Sequence, residues 1–298
     1  MGSGKAGLAA LTMVHEEDFF LERWVKHWRR HIPAKHIYII NHGDSPAVSR
    51  IARECTIIRL PYDQTKKSVN QRRWQILSLH ASALTSYFDW VICNDVDEIV
   101  LLDPKIKQSL PEYLAKIAER EHVPPAITPF AIEMVHVPEI EADALTPEDP
   151  ILGKRRCYRL NSNYAKPCIL GRPMEFKAGG HGGNHKEIYV DPHLYNFHLR
   201  FIDFEYSMSR FAKSLERRLA GKTEEEVKSM KKGGWAWVSV EKTFRSLSKQ
   251  LPIKETIDHP DFRRKMLEER ILRPPFTLMG GGRPKGNYRL PERFNGII

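Results

Sequence analysis

Short apolar runs alternate with amphipathic segments along the first hundred residues. The apolar runs are typical of strands buried on both faces, because strands inside a parallel sheet lose the polar–apolar alternation. After the first run, Phe20, Trp24 and Trp28 recur at helical spacing, which predicts an amphipathic helix. Further predicted strands and helices cover residues 8–14, 36–40 and 55–60 (strands) and 48–54 and 68–86 (helices). Strands that alternate with helices pair in parallel through right-handed crossovers, so the pattern predicts an α/β fold with a mostly parallel, Rossmann-like sheet.

The remainder of the chain changes character after residue 204. Before that point the pattern predicts a helix over 106–120, and strands over 126–135, 158–160 and 187–190. Beyond it the predicted elements are four helices, over 205–220, 224–232, 238–251 and 261–270. We therefore expect a domain of residues 6–204 followed by a basic, mainly helical C-terminal extension of residues 205–298.

Two carboxylates, Asp95 and Asp97, follow the apolar run 88–94 directly. If the extended backbone continues, alternation puts both side chains on the same side of the strand. Two carboxylates so placed repel each other unless a cation lies between them. Hard divalent ions such as Mg²⁺ and Mn²⁺ prefer oxygen ligands of this kind and commonly share them with substrate phosphates. The pair therefore predicts a divalent cation site.

Polar residues follow three of the predicted parallel strands where each strand ends. They are His15 and Glu16, the segment 41–45, and the Asp95–Asp97 pair. The carboxyl ends of parallel strands meet at one edge of the sheet, and ligands of open α/β sheets bind there. The convergence predicts a binding site at this edge.

Histidines near the middle of the chain are candidates to complete the cation site. His181 and His185 lie in a glycine-rich stretch, where two intervening glycines disfavour the helix that a zinc pair at this spacing needs. His198 lies in a strand-like context that would hold a metal ligand rigidly, and His181 in a loop suited to closing over substrate. Cations that could stabilise a leaving diphosphate in the same region are Lys166, Arg172, Lys186 and Arg200.

The charge of the chain is unevenly distributed. The sequence has 47 lysines and arginines and 37 aspartates and glutamates, a net charge of +10. Residues 205–298 hold 21 of the basic and 12 of the acidic residues, so nearly all of the net charge lies there. A basic face can meet nucleic acid, anionic lipid headgroups or an acidic polymer. The sequence contains no nucleic-acid-binding motif, so we expect a peripheral membrane contact or an acidic glycan instead.

Cysteine usage and the N-terminal residues bear on location. The four cysteines show no paired metal-ligand spacing, which favours free thiols in a reducing compartment. No hydrophobic region of the signal-peptide type follows the single Lys5, so we expect no signal peptide here, and no apolar run is long enough to span a bilayer. These features predict a cytoplasmic protein.

Several motifs together resemble bacterial family 2-type glycosyltransferases. The segments that carry the resemblance are MVHEEDFFLERW (13–24), HIYIINHGDS (36–45), Gln71 in NQRR, DWVICNDVDEI (89–99) and FHLR (197–200). The resemblance covers residues 8–103 well and 151–213 loosely. It implies the GT-A fold and metal-dependent transfer of a sugar from a nucleotide-diphosphate donor, such as a UDP-sugar, to a glycan, a lipid-linked acceptor or another hydroxyl, as in polysaccharide biosynthesis.

The resemblance also implies roles for individual residues. Asp97 would ligate Mn²⁺ or Mg²⁺ bridging the diphosphate, with Asp95 facing the ribose or donor sugar and contributing to the metal site. His198 or His181 would add a later contact to the metal or phosphates. The remaining candidates for the donor pocket are His15, Glu16, Asp44, Gln71 and Lys166. An inverting enzyme also needs a general base, for which Glu175 and Glu187 are the candidates.

Two other interpretations remain open. A haloacid-dehalogenase-like phosphotransferase also ends a strand in Asp-x-Asp, although its nucleophile normally lies near the chain start, and Ile99 stands where threonine or valine is usual. Alternatively, the protein is a non-enzymatic binder of anionic polymers. Contacts in that case would come from Arg263, Arg264 and Lys265 with the aromatic residues Phe262, Trp235 and Trp237.

Overall fold

Strands and helices alternate through the first half of the chain, as the apolar pattern predicts. A computed structural model describes residues 5, 7–62, 69–219, 223–226 and 236–298. The strands of this half are β1 (Leu8–Val14), β2 (Ile37–His42), β3 (Thr56–Leu60), β4 (Trp90–Cys93), β5 (Glu98–Leu102) and β6 (Ala126–Val135). The helices are α1 (Asp18–Trp28), α2 (Pro46–Ile51), α3 (Val69–Leu84) and α4 (Leu110–Ala118).

The second half adds shorter strands and further helices. The strands are β7 (Cys157–Arg159), β8 (Ile169–Leu170), β9 (Gly182–Gly183), β10 (Tyr189–Phe201), β11 (Pro252–Glu255), β12 (Ile271–Arg273), β13 (Phe276–Leu278) and β14 (Asn287–Arg289). The helices are α5 (Ile151–Lys154), α6 (Phe204–Leu219), α7 (Ala236–Leu247) and α8 (Pro260–Glu268). The last three confirm the helices predicted from 205, 238 and 261. Most of the helix predicted over 224–232 lies outside the described residues.

One large sheet organises the described residues. Its main path runs β11–β14–β7–β6–β8–β4–β1–β2–β3, and β10 joins it by pairing with β6 and β5. Strands β4, β1, β2 and β3 are parallel neighbours, and β10 is parallel to β6. The molecule is therefore a mixed α/β protein with a largely parallel central sheet, as predicted.

Both faces of the central strands are covered, which explains their unbroken apolar sequence. In β1, Leu8 and Ala10 belong to the same core cluster as Trp24 of α1. The alternate residue Leu11 packs on the opposite face, in a cluster that contains Trp74 of α3. A strand buried on both faces favours apolar side chains along its whole length, and all seven residues of β1 are buried, six of them apolar.

Two elements differ from the sequence prediction. The strand expected over 187–190 overlaps β10 only at residues 189–190, and β10 runs for 13 residues from Tyr189 to Phe201. Polar residues such as His193, Asn196 and His198 interrupt its apolar pattern, so the sequence does not show β10 as one continuous strand. Strand β4 ends at Cys93, so the carboxylate pair lies in a turn between β4 and β5 rather than on continued extended backbone.

The C-terminal third is less purely helical than predicted, since it also supplies strands to the large sheet. Strand β14 pairs with β7, and β11 pairs with β14. Among the residues proposed for a polymer-binding face, Phe262 is buried against Phe130. Trp235 lies outside the described residues. The division of the chain at residue 204 stays a prediction.

Two further observations concern location. Among the described residues, no helix combines the length and the apolar character needed to cross a bilayer. All four cysteines are free, and Cys93, Cys157 and Cys168 are buried.

Candidate functional site

A cavity of about 690 Å³ opens at the carboxyl edge of the parallel strands. Met13 and His15 reach it from the end of β1, and Asp95 and Asp97 reach it from the turn after β4. His198 reaches it from β10. The edge predicted to bind a ligand therefore does carry a cavity. The segment 41–45 does not contribute to its lining; there the Asn41 side chain closes a turn onto the backbone of Ser45.

The turn that carries the two carboxylates is fixed by Asn94. Its amide donates to the carbonyl of Glu98, and its side-chain oxygen accepts from the indole of Trp24. Its backbone carbonyl accepts from the Thr12 hydroxyl. Because these three contacts are buried, the positions of Asp95 and Asp97 are set by the core rather than by solvent.

Asp95 is neutralised by two cations of the protein itself. One carboxylate oxygen lies 2.6 Å from Arg73 Nη2, and the other lies 2.7 Å from Lys166 Nζ. Lys166 also lies 2.6 Å from Glu98 Oε1. Burial by itself raises the pKa of Asp95, but Lys166 and Arg73 outweigh it and hold the pKa well below its usual range. The charge of Asp95, for which the sequence predicts a divalent cation, is thus balanced by Arg73 and Lys166.

Asp97 has fewer and longer contacts with cationic side chains than Asp95 has. Arg210 on α6 places Nη1 3.2 Å from Asp97 Oδ2, and its Nε donates to Glu17 Oε1 at 2.7 Å. His198 Nε2 lies 3.9 Å from the same Asp97 oxygen, which is too long for a hydrogen bond. Burial raises the pKa of Asp97, but Arg210 and then His198 lower it overall, so Asp97 is an anion at neutral pH.

The strand ladder places His198 between two glutamates. In the register of the sheet, His198 of β10 lies opposite Glu98 of β5 on one side and Glu133 of β6 on the other. Its Nδ1 is 3.5 Å from Glu133 Oε1, and its ring stacks on Tyr164 with centroids 3.7 Å apart. These contacts hold the ring with Nε2 towards Asp97, 3.9 Å from its Oδ2.

Glu133 is a site residue that the sequence prediction missed. It is ion-paired with Arg159 and accepts from Asn161 Nδ2 at 3.0 Å. Burial raises its pKa, but the contacts with His198 and Arg159 lower it overall, so it is ionised. A signal was present in the sequence, since Glu133 is the one charged residue in the otherwise apolar and buried segment 126–135.

His181 lines the cavity but is held more firmly than a mobile loop would allow. Its Nδ1 lies 2.7 Å from the carbonyl of Asn163, and the next residues form β9. At Gly180, where φ is +69°, a Cβ atom would lie 2.4 Å from the Trp74 ring. Gly180 therefore permits this segment to pack closely onto Trp74 of α3. Burial lowers the pKa of His181 to about 4.

His15 and Tyr62 form an aromatic wall at the β1 end of the cavity. Their rings stack with centroids 3.9 Å apart, and His15 Nδ1 lies 2.7 Å from the carbonyl of His42. Tyr62 follows β3 and was not predicted as a site residue. A flat aromatic surface of this kind can take a nucleobase.

Other predicted donor-pocket residues lie outside this lining, as far as the described residues show. Asp44 is ion-paired with Arg59 at 3.0 Å on the surface, and Glu16 lies beside a smaller neighbouring cavity. Gln71 is exposed on α3. The face of α3 that meets the cavity carries Asn70 together with Arg73 and Trp74, which follow it by three and four residues and so lie on the same side of the helix.

The two predicted base candidates do not line the cavity among the described residues. Glu187 is ion-paired with His122 at 2.7 Å, and Glu175 is exposed, with its backbone amide bonded to Asn184. Of the four predicted cations, Lys166 and Arg200 do line it. The carboxylates that line it are Glu17, Asp95, Asp97 and Glu133.

Comparisons with known proteins give little further information. No family model matches the sequence, and no curated protein matches it. Among solved structures, the chain is similar to the mannosyltransferase PcManGT from Pyrobaculum calidifontis, in complex with GDP-Man and Mn²⁺. The similarity covers 82% of this chain and 74% of that one, at 10% identity and a TM-score of 0.32. A similarity this weak carries no argument about function.

Proposed function

We propose that this protein is a glycosyltransferase that uses a nucleotide-diphosphate sugar and a divalent cation. The observation that carries the proposal is the placement of Asp97 and His198. Their facing atoms are 3.9 Å apart, both side chains are buried, and both line the cavity at the carboxyl edge of the parallel strands. A carboxylate and an imidazole at this separation can share one ion between them, and Mn²⁺ accepts both.

The donor set fits an ion that arrives with a substrate. Among the described residues, no group of three or more histidine, cysteine, aspartate or glutamate side chains is arranged to hold a metal. Mg²⁺ and Mn²⁺ are commonly held by one or two protein ligands, with waters and phosphate oxygens completing the coordination. Glu133 behind His198 supplies the outer carboxylate that typically orients a metal-binding histidine.

The lining of the cavity suits the rest of such a donor. The stacked rings of His15 and Tyr62 offer a surface for the base. Arg200 and Arg73 bring positive charge to the cavity, where diphosphate oxygens need it. A cation at Asp97 and His198 would neutralise the charge that develops on the departing diphosphate. The acceptor that we expect is a hydroxyl of a carbohydrate or of a lipid-linked glycan.

Binding measurements test the proposal directly. Isothermal titration of the protein with UDP, GDP, CDP and dTDP, each with and without Mn²⁺, is expected to show one preferred nucleotide whose affinity rises at least tenfold with the metal. EDTA should abolish that gain and added Mn²⁺ should restore it.

The controls separate the alternatives. Nucleotide affinity that does not depend on metal would contradict a bridging cation, and absence of binding to all four nucleotides would contradict the donor class. Hydrolysis of p-nitrophenyl phosphate, assayed in parallel, would favour the phosphotransferase interpretation. The preferred nucleotide, supplied as its sugar derivatives, then identifies the transferred sugar through release of the nucleoside diphosphate.

A membrane contact of the basic C-terminal third is tested separately. Full-length protein is expected to sediment with vesicles that contain phosphatidylglycerol and not with phosphatidylcholine vesicles, and added salt should release it, because exposed charges are screened. Equal behaviour with both vesicles would rule out the electrostatic contact. Truncation at residue 204 is unsuitable as a control because it removes β11 and β14 from the sheet.

A further inference from the structure

Arg210 places a positive charge directly beside Asp97. Its guanidinium bridges Glu17 and Asp97, at 2.7 and 3.2 Å, and lies over the ring of Phe20. The side chains of Arg210, Glu17 and Asp97 are only 15%, 18% and 9% exposed, so water screens this cluster weakly. Asp97 and Glu17 together raise the pKa of Arg210 in spite of its burial, and Arg210 is always charged.

Of the two carboxylates, Asp97 is held by fewer contacts and can more easily change partners. Lys166, which holds Asp95, is fully buried and is also held by Glu98. Arg210 instead reaches Asp97 from α6 with a single hydrogen bond to it. The other anchor of Arg210, Glu17, does not depend on Asp97.

The structure also provides space into which the guanidinium can withdraw. Arg210 lines both the large cavity and a neighbouring cavity of about 300 Å³. The smaller cavity is lined by the acidic residues Glu16, Glu17 and Glu216, together with Tyr206, Ser209 and Lys213. The lining of the smaller cavity therefore includes Glu17, the present partner of Arg210, and two further carboxylates, with Lys213 as its other cation.

We propose that Arg210 competes with the divalent cation for Asp97 and thereby makes metal binding depend on the nucleotide diphosphate. This inference rests on the proposed function. Without the diphosphate, a divalent cation at Asp97 is repelled by the nearby guanidinium of Arg210, and water screens this repulsion only weakly. With the diphosphate bound, its negative charge offsets that repulsion. Arg210 is a positioning residue in this scheme, since it sets the order of binding and not the chemistry.

The test measures Mn²⁺ affinity itself, by the paramagnetic resonance signal of free Mn²⁺, with and without UDP or GDP. Arg210→Gln is expected to bind Mn²⁺ at least about tenfold more tightly than the wild type when no nucleotide is present. With the nucleotide present, its gain is expected to be smaller, so the coupling between the two ligands falls. By linkage, Mn²⁺ should then enhance nucleotide affinity less in the variant, by the same factor.

The matched variants are Arg210→Lys and Arg210→Met. Lysine cannot reproduce the two-nitrogen bridge of Arg210 but keeps the positive charge, so Mn²⁺ binding close to that of the wild type is expected and separates charge from shape. Methionine removes the charge, keeps an apolar contact with Phe20, and replaces the glutamine variant if that variant does not fold. If the wild type binds both ligands but the neutral variant binds Mn²⁺ no more tightly than the wild type, the inference about Arg210 is overturned and the proposed function is not. A wild type that binds neither Mn²⁺ nor nucleotide overturns the proposed function with it.

Discussion

Replacement of Asp97 by asparagine is expected to lower sugar transfer by at least about 10³-fold without unfolding the protein. Asparagine matches the shape of aspartate but supplies no charge to a divalent cation. A 10³-fold loss corresponds to about 4 kcal/mol of transition-state stabilisation, which is in the range of a metal ion's charge at a leaving group. Arg210 keeps Glu17 as a partner in this variant, so the cavity retains its wall. Asp97→Ala should behave alike. The measurements are kcat/KM with the preferred donor and the thermal unfolding midpoint.

Asp44→Asn is the matched control, because Asp44 follows another strand at the same edge of the sheet. Its carboxylate is ion-paired with Arg59 at the surface, and its φ of +53° is one that asparagine also adopts. Turnover close to that of the wild type is expected. Near-normal transfer by Asp97→Asn in the presence of metal would refute the role of Asp97. A large loss in Asp44→Asn would instead support the donor-pocket position that the family resemblance implies.

The strands of the parallel half could be predicted because burial on both faces favours apolar residues, which form recognisable runs in the sequence. Strands β1 and β6 have the predicted limits, Leu8–Val14 and Ala126–Val135, since each is mostly apolar and buried throughout, and Pro129 does not interrupt β6. Strand β10 was largely missed. Its polar residues have neighbours that are distant in sequence, as Glu133 lies 3.5 Å from His198, and no local sequence pattern reveals such neighbours.

Residues of the candidate site could be predicted where the residue type itself indicates the chemistry. They could not be predicted where the role depends on a partner that is distant in sequence. Asp97 and His198 were singled out as a carboxylate and an imidazole, and the structure brings them to the same cavity. That Arg210 would reach Asp97 across 113 positions follows only from the packing of α6. Gln71 was singled out by the family resemblance and stays a prediction; the structure shows that Asn70 and Arg73 lie on the side of α3 that faces the cavity.

Replacement of Lys166 by methionine is expected to destabilise the fold by about 3–5 kcal/mol, the usual cost of leaving a buried charge without its partner. Lys166 is buried and lies within 2.7 Å of Asp95 and 2.6 Å of Glu98. Methionine fills similar volume, so the loss comes mainly from the two carboxylates. The measurement is the free energy of unfolding from urea titration at pH 7.

The pH dependence and a double variant identify the cause of that loss. Burial already raises the pKa of Glu98, and removal of Lys166 raises it further, so the folded variant binds a proton more readily than the unfolded chain. The stability deficit against the wild type should therefore shrink as the pH falls from 7 towards 5. Lys166→Met combined with Glu98→Gln is expected to recover part of the stability at pH 7, because Asp95 keeps Arg73 at 2.6 Å. A double variant as unstable as the single one, with a deficit that does not change with pH, would place the cost in lost packing and not in unpaired charge.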